Sequence, residues 1–545
     1  MMDHEEDGNE QKGSESEECF EDEEAITYLE ESSESETEPE GNLWDVDCKI
    51  LSLPSVTNGL IGCHLMPTCE NDQDLHPKKK LKLQPSLRED LLSKPSINAL
   101  QNNWKSNNSF VGQSLEIISS PFKVCIVKDL LDNTSFLNEL REKFYNEVSF
   151  RMRSLDLYEF FQSTDLKHLV DLAEPIRAIY EFLKNDLMTW VSTITGYELT
   201  HISASCSLYT DSDYLLVHDD LREDRMVAFI LYLTDEYGWK ESDGGSLQLF
   251  SKDENGQPCD VVRSIIPVNN QLIFFPVTNE SYHQVAEVTS LNKYRLSING
   301  WFHTKAPPVF EVPRHVPLND SLYSNKYKQS KKVNVDLEVW VRDEYLDNKA
   351  IKLIQNHIEE NSEISLKSFF IDEPFKEVSC TLQEDNNLIW RKVAPINRYN
   401  YEVMDLTKLP FVIERFLDLF QSNQMFQLLR KYTELDLHKK KACMKFELQR
   451  WTPGSYALLT DYDWKERNEL DLIIHLGCKK NSDVIGARTQ YVTIEDQIQN
   501  ALITIEPEEN NLNIVYRDSA RFTKYFSKQS KCKCFYTLIC SYSEN

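Results

Sequence analysis

The apolar run Tyr214-Leu215-Leu216-Val217 ends in His218-Asp219-Asp220; His283 comes sixty-three residues after Asp220, and Arg295 twelve after that. In a strand, residues i and i+2 project to the same face, so His218 and Asp220 are expected to face one point. His283 reaches that point only if the intervening chain folds back as several strands. This spacing demands layered β-structure from about His201 onward.

The surrounding sequence fits. Short strands are expected at Ser207–Tyr209, Tyr214–His218, Met226–Leu233, Gly245–Phe250, Val261–Pro267, Gln271–Phe275 and Tyr294–Phe302. Asp243-Gly244-Gly245 and Asn255-Gly256 punctuate them as turns. Closely spaced short strands point to a sandwich or jelly roll. Upstream, Leu115–Lys128 reads as a strand. Helices are expected after the caps Asn133-Thr134-Ser135 and from Asp171 to Ile194, their apolar stripes being ordinary core.

Two imidazoles and one carboxylate suit Fe(II) and leave three coordination positions open. His-x-Asp alone arises often by chance, and a single histidine is more often structural than a ligand. Context sharpens the signal, because each candidate ligand adjoins an apolar strand. Arg295 can pair bidentately with a carboxylate, and Ser297, two residues on, can add a hydroxyl. Among Leu296, Ile298, Trp301 and Phe302, a buried arginine without an anion is costly; a surface salt bridge is the plainer alternative.

A chain of 545 residues is too long for one core. The formal charge of −30 is uneven: residues 1–40 carry eighteen acidic residues against Lys12, leaving −13 for the rest. Such acidity argues against a nucleic-acid surface and suits a solvated tail or a basic partner. Thirteen cysteines show no C-x-x-C pair, no run is long enough to span a bilayer, and the N-terminus lacks a signal core. A reducing intracellular compartment is expected.

Residues 1–112 read as a disordered acidic region containing the basic run His76-Pro77-Lys78-Lys79-Lys80-Leu81-Lys82, a candidate nuclear import signal. A folded domain is expected over 113–306, a linker over 307–335 and a second domain over 336–545, opening with a helical stretch at Glu414–Leu435. The second domain faintly repeats the first. Tyr456–Tyr462 lines up with Tyr214–Asp220, and Asp471–Leu476 with Ala228–Leu233. Thr460 and Tyr462 then replace the first two ligands, Lys524 falls near the distal histidine and no arginine matches Arg295. This copy is expected to bind no iron, although a chance match of apolar strands is the alternative.

Several motifs together carry a family resemblance: Asp156-Leu157-Tyr158-Glu159-Phe160-Phe161-Gln162-Ser163, His218-Asp219-Asp220, Gly244-Gly245-Ser246-Leu247, Ser281-Tyr282-His283-Gln284-Val285 and Arg295–His303. With Trp451, Gly454, Tyr456 and Val515-Tyr516-Arg517-Asp518, they span about 430 residues. The chain resembles 2-oxoglutarate- and Fe(II)-dependent dioxygenases of the prolyl hydroxylase type, and more narrowly the ribosomal-protein prolyl 3-hydroxylases. The resemblance implies an α+β fold: two tandem double-stranded β-helix (jelly-roll) domains with flanking helices, the second degenerate. It implies Fe(II) held by His218, Asp220 and His283, and 2-oxoglutarate bound by Arg295 with Tyr232, Ser297 and Tyr209. It also implies O2 as co-substrate, ascorbate as reductant, and a small-subunit ribosomal protein as substrate, affecting translation accuracy or termination. A monomer in nucleus and cytoplasm is expected, with no direct nucleic-acid or membrane partner. The alternatives are an oxygenase acting on nucleic acid and a non-catalytic translation adaptor.

Overall fold

The computed structural model describes residues 84–544 apart from 223, 235–237, 311–326, 334, 438–440, 461–468, 479–482 and 496–497. The acidic tail, the basic run at 76–82 and Tyr462 lie outside the described residues. Among those described, no helix is long and apolar enough to cross a membrane.

Order begins earlier than expected. Helix α1, Lys94–Ser106, falls inside the stretch read as disordered. Ser93 caps it by accepting from Ser96 N, and Asn107 ends it in the left-handed conformation. Its sequence is mostly polar, but Leu100 and Trp104 are buried, and Trp104 packs on Phe274 with ring centroids 5.5 Å apart. Two anchoring side chains thus hold a helix that composition alone does not suggest. Helices α2 (Thr134–Glu147), α3 (Glu174–Phe182) and α4 (Met188–Thr195) follow.

Beside a two-residue strand, Phe110–Val111, which pairs with β1, the described residues of this unit form β1 Leu115–Ile118, β2 Val124–Val127, β3 Arg151–Ser154, β4 Tyr158–Asp165, β5 His201–Tyr209, β6 Tyr214–His218, β7 Arg225–Tyr232, β8 Leu247–Lys252, β9 Pro258–Ile265, β10 Leu272–Pro276, β11 His283–Val285 and β12 Arg295–His303. Their order is β1-β2-β10-β7-β12-β5-β4-β6-β11-β8-β9, with β3 paired to β4. Strand β7 shows why its sequence is apolar throughout. Val227, Phe229 and Leu231 share a core with the helices, while Ala228, Ile230 and Tyr232 face the layer containing Leu247 and Leu249. A strand buried on both faces needs no polar alternation.

The second unit has α5 Asn348–Asn361, α6 Asp372–Glu384, α7 Phe411–Gln421 and α8 Asn423–Thr433. The single helical stretch expected at 414–435 is two helices, broken where Ser422 becomes the cap of α8 by accepting from Met425 N. Strands β13 Glu363–Leu366, β14 Cys443–Trp451, β15 Tyr456–Ala457, β16 Glu469–Leu476, β17 Thr489–Glu495, β18 Ile498–Ile505, β19 Leu512–Arg517, β20 Ala520–Thr523 and β21 Phe535–Ser543 follow. They form the runs β13-β19-β16-β21-β14 and β15-β20-β17-β18. The first unit contains β2-β10-β7-β12-β5 and β6-β11-β8-β9, the same arrangement in the same chain sense.

Replacing Trp104 with Ala is expected to cost about 3–5 kcal/mol of stability, the range for a buried aromatic truncated in a core. A thermal unfolding midpoint unchanged from the parent would show that α1 is dispensable.

Candidate active site

His218 closes β6 and His283 opens β11, and the two stand directly opposite in antiparallel register. Their rings are 4.2 Å apart and tilted by 54°. Asp220 arrives by a different route from the one its spacing suggests. It lies beyond β6 with φ +64°, a left-handed conformation that Asp tolerates better than most residues. A turn, not strand alternation, therefore brings its carboxylate back to the imidazoles. Asp220 Oδ1 is 3.7 Å from His218 Nε2, and its Oδ2 is 3.4 Å from His283 Nε2.

The far nitrogens fix the tautomers. His218 Nδ1 lies 2.8 Å from Leu216 O and His283 Nδ1 lies 2.7 Å from Ser281 O. A carbonyl can only accept, so each Nδ1 carries the hydrogen and each Nε2 presents a lone pair to the centre. Burial, with the His218 charge beside it, pushes His283 down to about 4, so the ring is neutral at physiological pH. Burial by itself raises the Asp220 carboxyl, but the neighbouring His218, His283 and Arg225 outweigh it and hold it below its ordinary value. Two lone pairs and a carboxylate then converge within 4.8 Å, a donor set that fits a divalent iron.

Among the described residues, His201, Asp224 and His303 form a second compact group. It differs in a way that matters for coordination. Its rings stack 4.4 Å apart and nearly parallel, at 10°, so their in-plane lone pairs do not converge on one point. The His201 Nδ1 and His303 Nε2 atoms meet the Thr200 and Ser203 hydroxyls at 3.0 and 2.7 Å. This group reads as a hydrogen-bonded surface cluster.

Arg295 opens β12 opposite Tyr209 and is 1% exposed. Its Nε donates to Gly245 O at 2.8 Å, while Nη2 and Nη1 lie 3.4 Å from the Tyr232 hydroxyl and 3.5 Å from Ser297 Oγ. The Tyr209 and Tyr232 rings flank it, 4.8 and 5.0 Å from Cζ. No ion pair to Arg295 is found among the described residues. A guanidinium so deeply buried costs several kcal/mol unless an anion joins it. The site thus fits the far carboxylate of a keto acid, and all four expected contacts, Arg295, Tyr232, Ser297 and Tyr209, are brought together.

Sequence reasoning missed some neighbours. Gly245 has φ +65°, and a Cβ there would come within 3.0 Å of Arg295 Cδ. Ser207, paired with Ser297, has a buried hydroxyl without a hydrogen-bond partner. Arg225 lies 3.5 Å over the Trp301 ring and 3.7 Å from Asp220, on the side of the ligand group away from Arg295's seat on β12. Adjacent glycines could have flagged the first; the others carry no local signal.

In the second unit, β16 and β21 pair His475 with Thr537, as β7 and β12 pair Tyr232 with Ser297. Strands β21 and β14 pair Phe535 with Trp451, as Arg295 pairs with Tyr209. Phe535 therefore stands where the arginine would. Trp451 stacks on Tyr401 at 5.1 Å and 8°, and Phe526 packs against Phe535. Lys524 is not at the distal histidine's place. Continuing the Ala457–Thr523 register brings Ala520 opposite Thr460, and Lys524 reaches into the first unit instead.

Residues 204–303 match the model of the 2OG-Fe(II) oxygenase superfamily, and residues 333–545 match the oxoglutarate and iron-dependent oxygenase degradation C-terminal family. Site and match together define an Fe(II)- and 2-oxoglutarate-dependent dioxygenase that uses O2. The chain is 37% identical to the prolyl 3-hydroxylase sudestada1 of Drosophila melanogaster over 462 residues, 79% of this chain and 84% of the relative. It is 34% identical to prolyl 3-hydroxylase OGFOD1 of Xenopus laevis, covering 78% and 88%, and 26% identical to prolyl 3,4-dihydroxylase OGFOD1 of Ostreococcus tauri, covering 78% and 95%. The chain belongs to this prolyl 3-hydroxylase family and is a 2-oxoglutarate-dependent peptidyl-proline dioxygenase.

Gly245→Ala is expected to lower stability by about 1–2 kcal/mol, because an L-residue is strained in the left-handed region. It should also raise KM for 2-oxoglutarate by displacing Arg295. Steady-state titration of the keto acid checks this, and an unchanged KM would show that Gly245 does not seat the arginine.

Proposed function

We propose that this enzyme hydroxylates carbon 3 of a prolyl residue in a small-subunit ribosomal protein. The observation that carries the site reading is the buried, unpaired Arg295 guanidinium beside a histidine–carboxylate–histidine group whose tautomers are set by backbone carbonyls. The names of the relatives support the prolyl substrate and carbon 3. The family resemblance supports the ribosomal target, ascorbate as reductant, a link to translation accuracy or termination, and a monomer working in nucleus and cytoplasm.

In this reading His218, Asp220 and His283 hold Fe(II), and Arg295 clamps the far carboxylate of 2-oxoglutarate with the Tyr232 and Ser297 hydroxyls. When bound, iron supplies the oxidative decarboxylation of the keto acid, which places one oxygen atom of O2 in succinate and the other on the substrate. The protein's part is to orient and to exclude water. Leu216 O and Ser281 O stop the imidazoles from rotating. Tyr209 stacks on Phe160 at 4.6 Å and walls the guanidinium. Arg225, stacked on Trp301, lies beside the Asp220 carboxylate.

The second unit reads as a degenerate copy of the first. Its strand order supports this, and so do Phe535, Trp451 and Tyr401, which fill the space corresponding to the keto-acid pocket.

The full chain, loaded anaerobically with Fe(II) and 2-oxoglutarate, mixed with a small-subunit ribosomal protein and exposed to O2, should add one oxygen atom to a prolyl residue by intact-mass and fragment analysis. His218→Ala should abolish both this gain and succinate formation. Full turnover in that variant would overturn the assignment of the ligands, and an unmodified ribosomal protein alongside active 2-oxoglutarate turnover would overturn the target.

A further inference from the structure

Glu287 lies four residues beyond His283 and is 3% exposed. It touches neither the ligand group nor the keto-acid contacts. Among the described residues, the hydrogen-bond partners of its carboxylate all come from the second unit: the Tyr525 hydroxyl at 3.2 Å, the Ser527 hydroxyl, and Lys528 N at 2.8 Å. Burial pushes this carboxyl up, while the Ser527, Lys528 and Tyr525 hydrogen bonds pull it back.

The backbone of Glu287 points the other way. Its carbonyl accepts from Gly245 N at 3.0 Å, and the Gly245 carbonyl accepts from Arg295 Nε at 2.8 Å. The fit is tight, since a Cβ on Gly244 would lie 2.1 Å from Glu287 O. Three consecutive hydrogen-bonded links therefore run from Ser527 and Lys528, through Glu287 and Gly245, to the guanidinium. A second grip lies at the β3–β4 turn. There Lys524 Nζ donates to Ser154 Oγ at 2.7 Å, Leu155 O at 3.0 Å and Glu159 Oε2 at 3.0 Å, and Asp156 accepts from Leu459 N at 3.0 Å. Between the two grips, the Tyr525 ring packs on Tyr214 of β6 with centroids 4.5 Å apart, tilted by 36°.

We propose that Glu287 is a positioning residue through which the second unit seats Arg295 and so sets the affinity for 2-oxoglutarate. The proposal rests on Arg295 being the keto-acid anchor. Iron affinity is a separate matter, because the histidines are oriented by carbonyls of their own segments, Leu216 and Ser281.

The test uses the full chain loaded anaerobically with Fe(II) and titrated with 2-oxoglutarate, followed by the visible charge-transfer absorption of the ternary complex. Iron affinity and thermal midpoint are measured beside it. Arg295→Lys should weaken 2-oxoglutarate binding at least tenfold, since it loses the planar fork. Glu287→Ala should weaken it about fivefold, ~1 kcal/mol, at unchanged iron affinity. Glu287→Gln should recover most of the loss, and Glu287→Ala in the Arg295→Lys background should add less than twofold. Ser527→Ala, a milder change made in the other unit, should shift affinity in the same direction and carries the test if Glu287→Ala does not fold. Weak binding in Arg295→Lys with parental binding in Glu287→Ala and Ser527→Ala would overturn the positioning role alone. Equal loss of iron and keto-acid affinity in Glu287→Ala and Ser527→Ala would reduce Glu287 to general support and also overturn it. Parental binding in Arg295→Lys would overturn the anchor reading itself, and this proposal with it.

Discussion

A guanidinium held out of water without a carboxylate is what the rest of this site is arranged around. Desolvating such a charge costs several kcal/mol, and in a finished core that cost is normally offset by an ion pair. Arg295 has aromatic walls and oxygen acceptors instead: Tyr209, Tyr232, Ser297 and the Gly245 carbonyl. Each is a weak partner for a cation. Together they hold its fork in one orientation without an ion pair among the described residues, an arrangement that fits a carboxylate. The Ser207 hydroxyl, buried without a hydrogen-bond partner directly across from Ser297, is another donor beside the guanidinium's strand.

The second unit shows the other solution to the same geometry. Where a strand pair in the first presents Arg295 and Tyr209, the matching pair presents Phe535 and Trp451, and Tyr401 and Phe526 close the space. The equivalent of Tyr232 is His475, which burial pushes down to about 3 and so keeps neutral. Apolar infill removes the electrostatic cost and with it any reason to bind an anion. One strand order supports a reactive cavity in one case and a packed core in the other, and the difference comes down to a few side chains.

The candidate site was legible in the sequence to the extent that it was local. His218 and Asp220 are two residues apart in the chain, Arg295 and Ser297 share a strand, and the apolar runs around them read as strands. Strand alternation does not account for the His218–Asp220 pairing. Asp220 converges through a left-handed turn, which a spacing of two cannot distinguish from alternation. His283 lies on a three-residue strand, too short for periodicity to register. Helix α1 is hard to read from composition because Leu100 and Trp104, with the half-buried Ile97, anchor an otherwise polar segment, and tertiary packing overrides its composition. Ser422 split a helical stripe in two because a cap and an apolar period coexist there. Lys524 was matched to a histidine position by counting residues, whereas strand pairing puts Ala520 there. Gly245, Glu287 and Ser207 act through contacts at long sequence separation, which no single window displays.

The two halves of the site are also built differently. Each histidine is oriented by a carbonyl two residues upstream in its own segment, so the ligand group is specified by short stretches of chain and needs only β6 and β11 side by side. The arginine's seat is assembled from Tyr209 and Tyr232 on separate strands and Gly245 in the segment before β8, and its outermost link is a carboxylate whose partners among the described residues all lie in the second unit. A pocket built from so many separate elements stays in register only while its outermost support is fixed. A second unit whose corresponding space is filled by Phe535, Trp451 and Tyr401 is suited to that task, because a close-packed interior transmits constraint with little give.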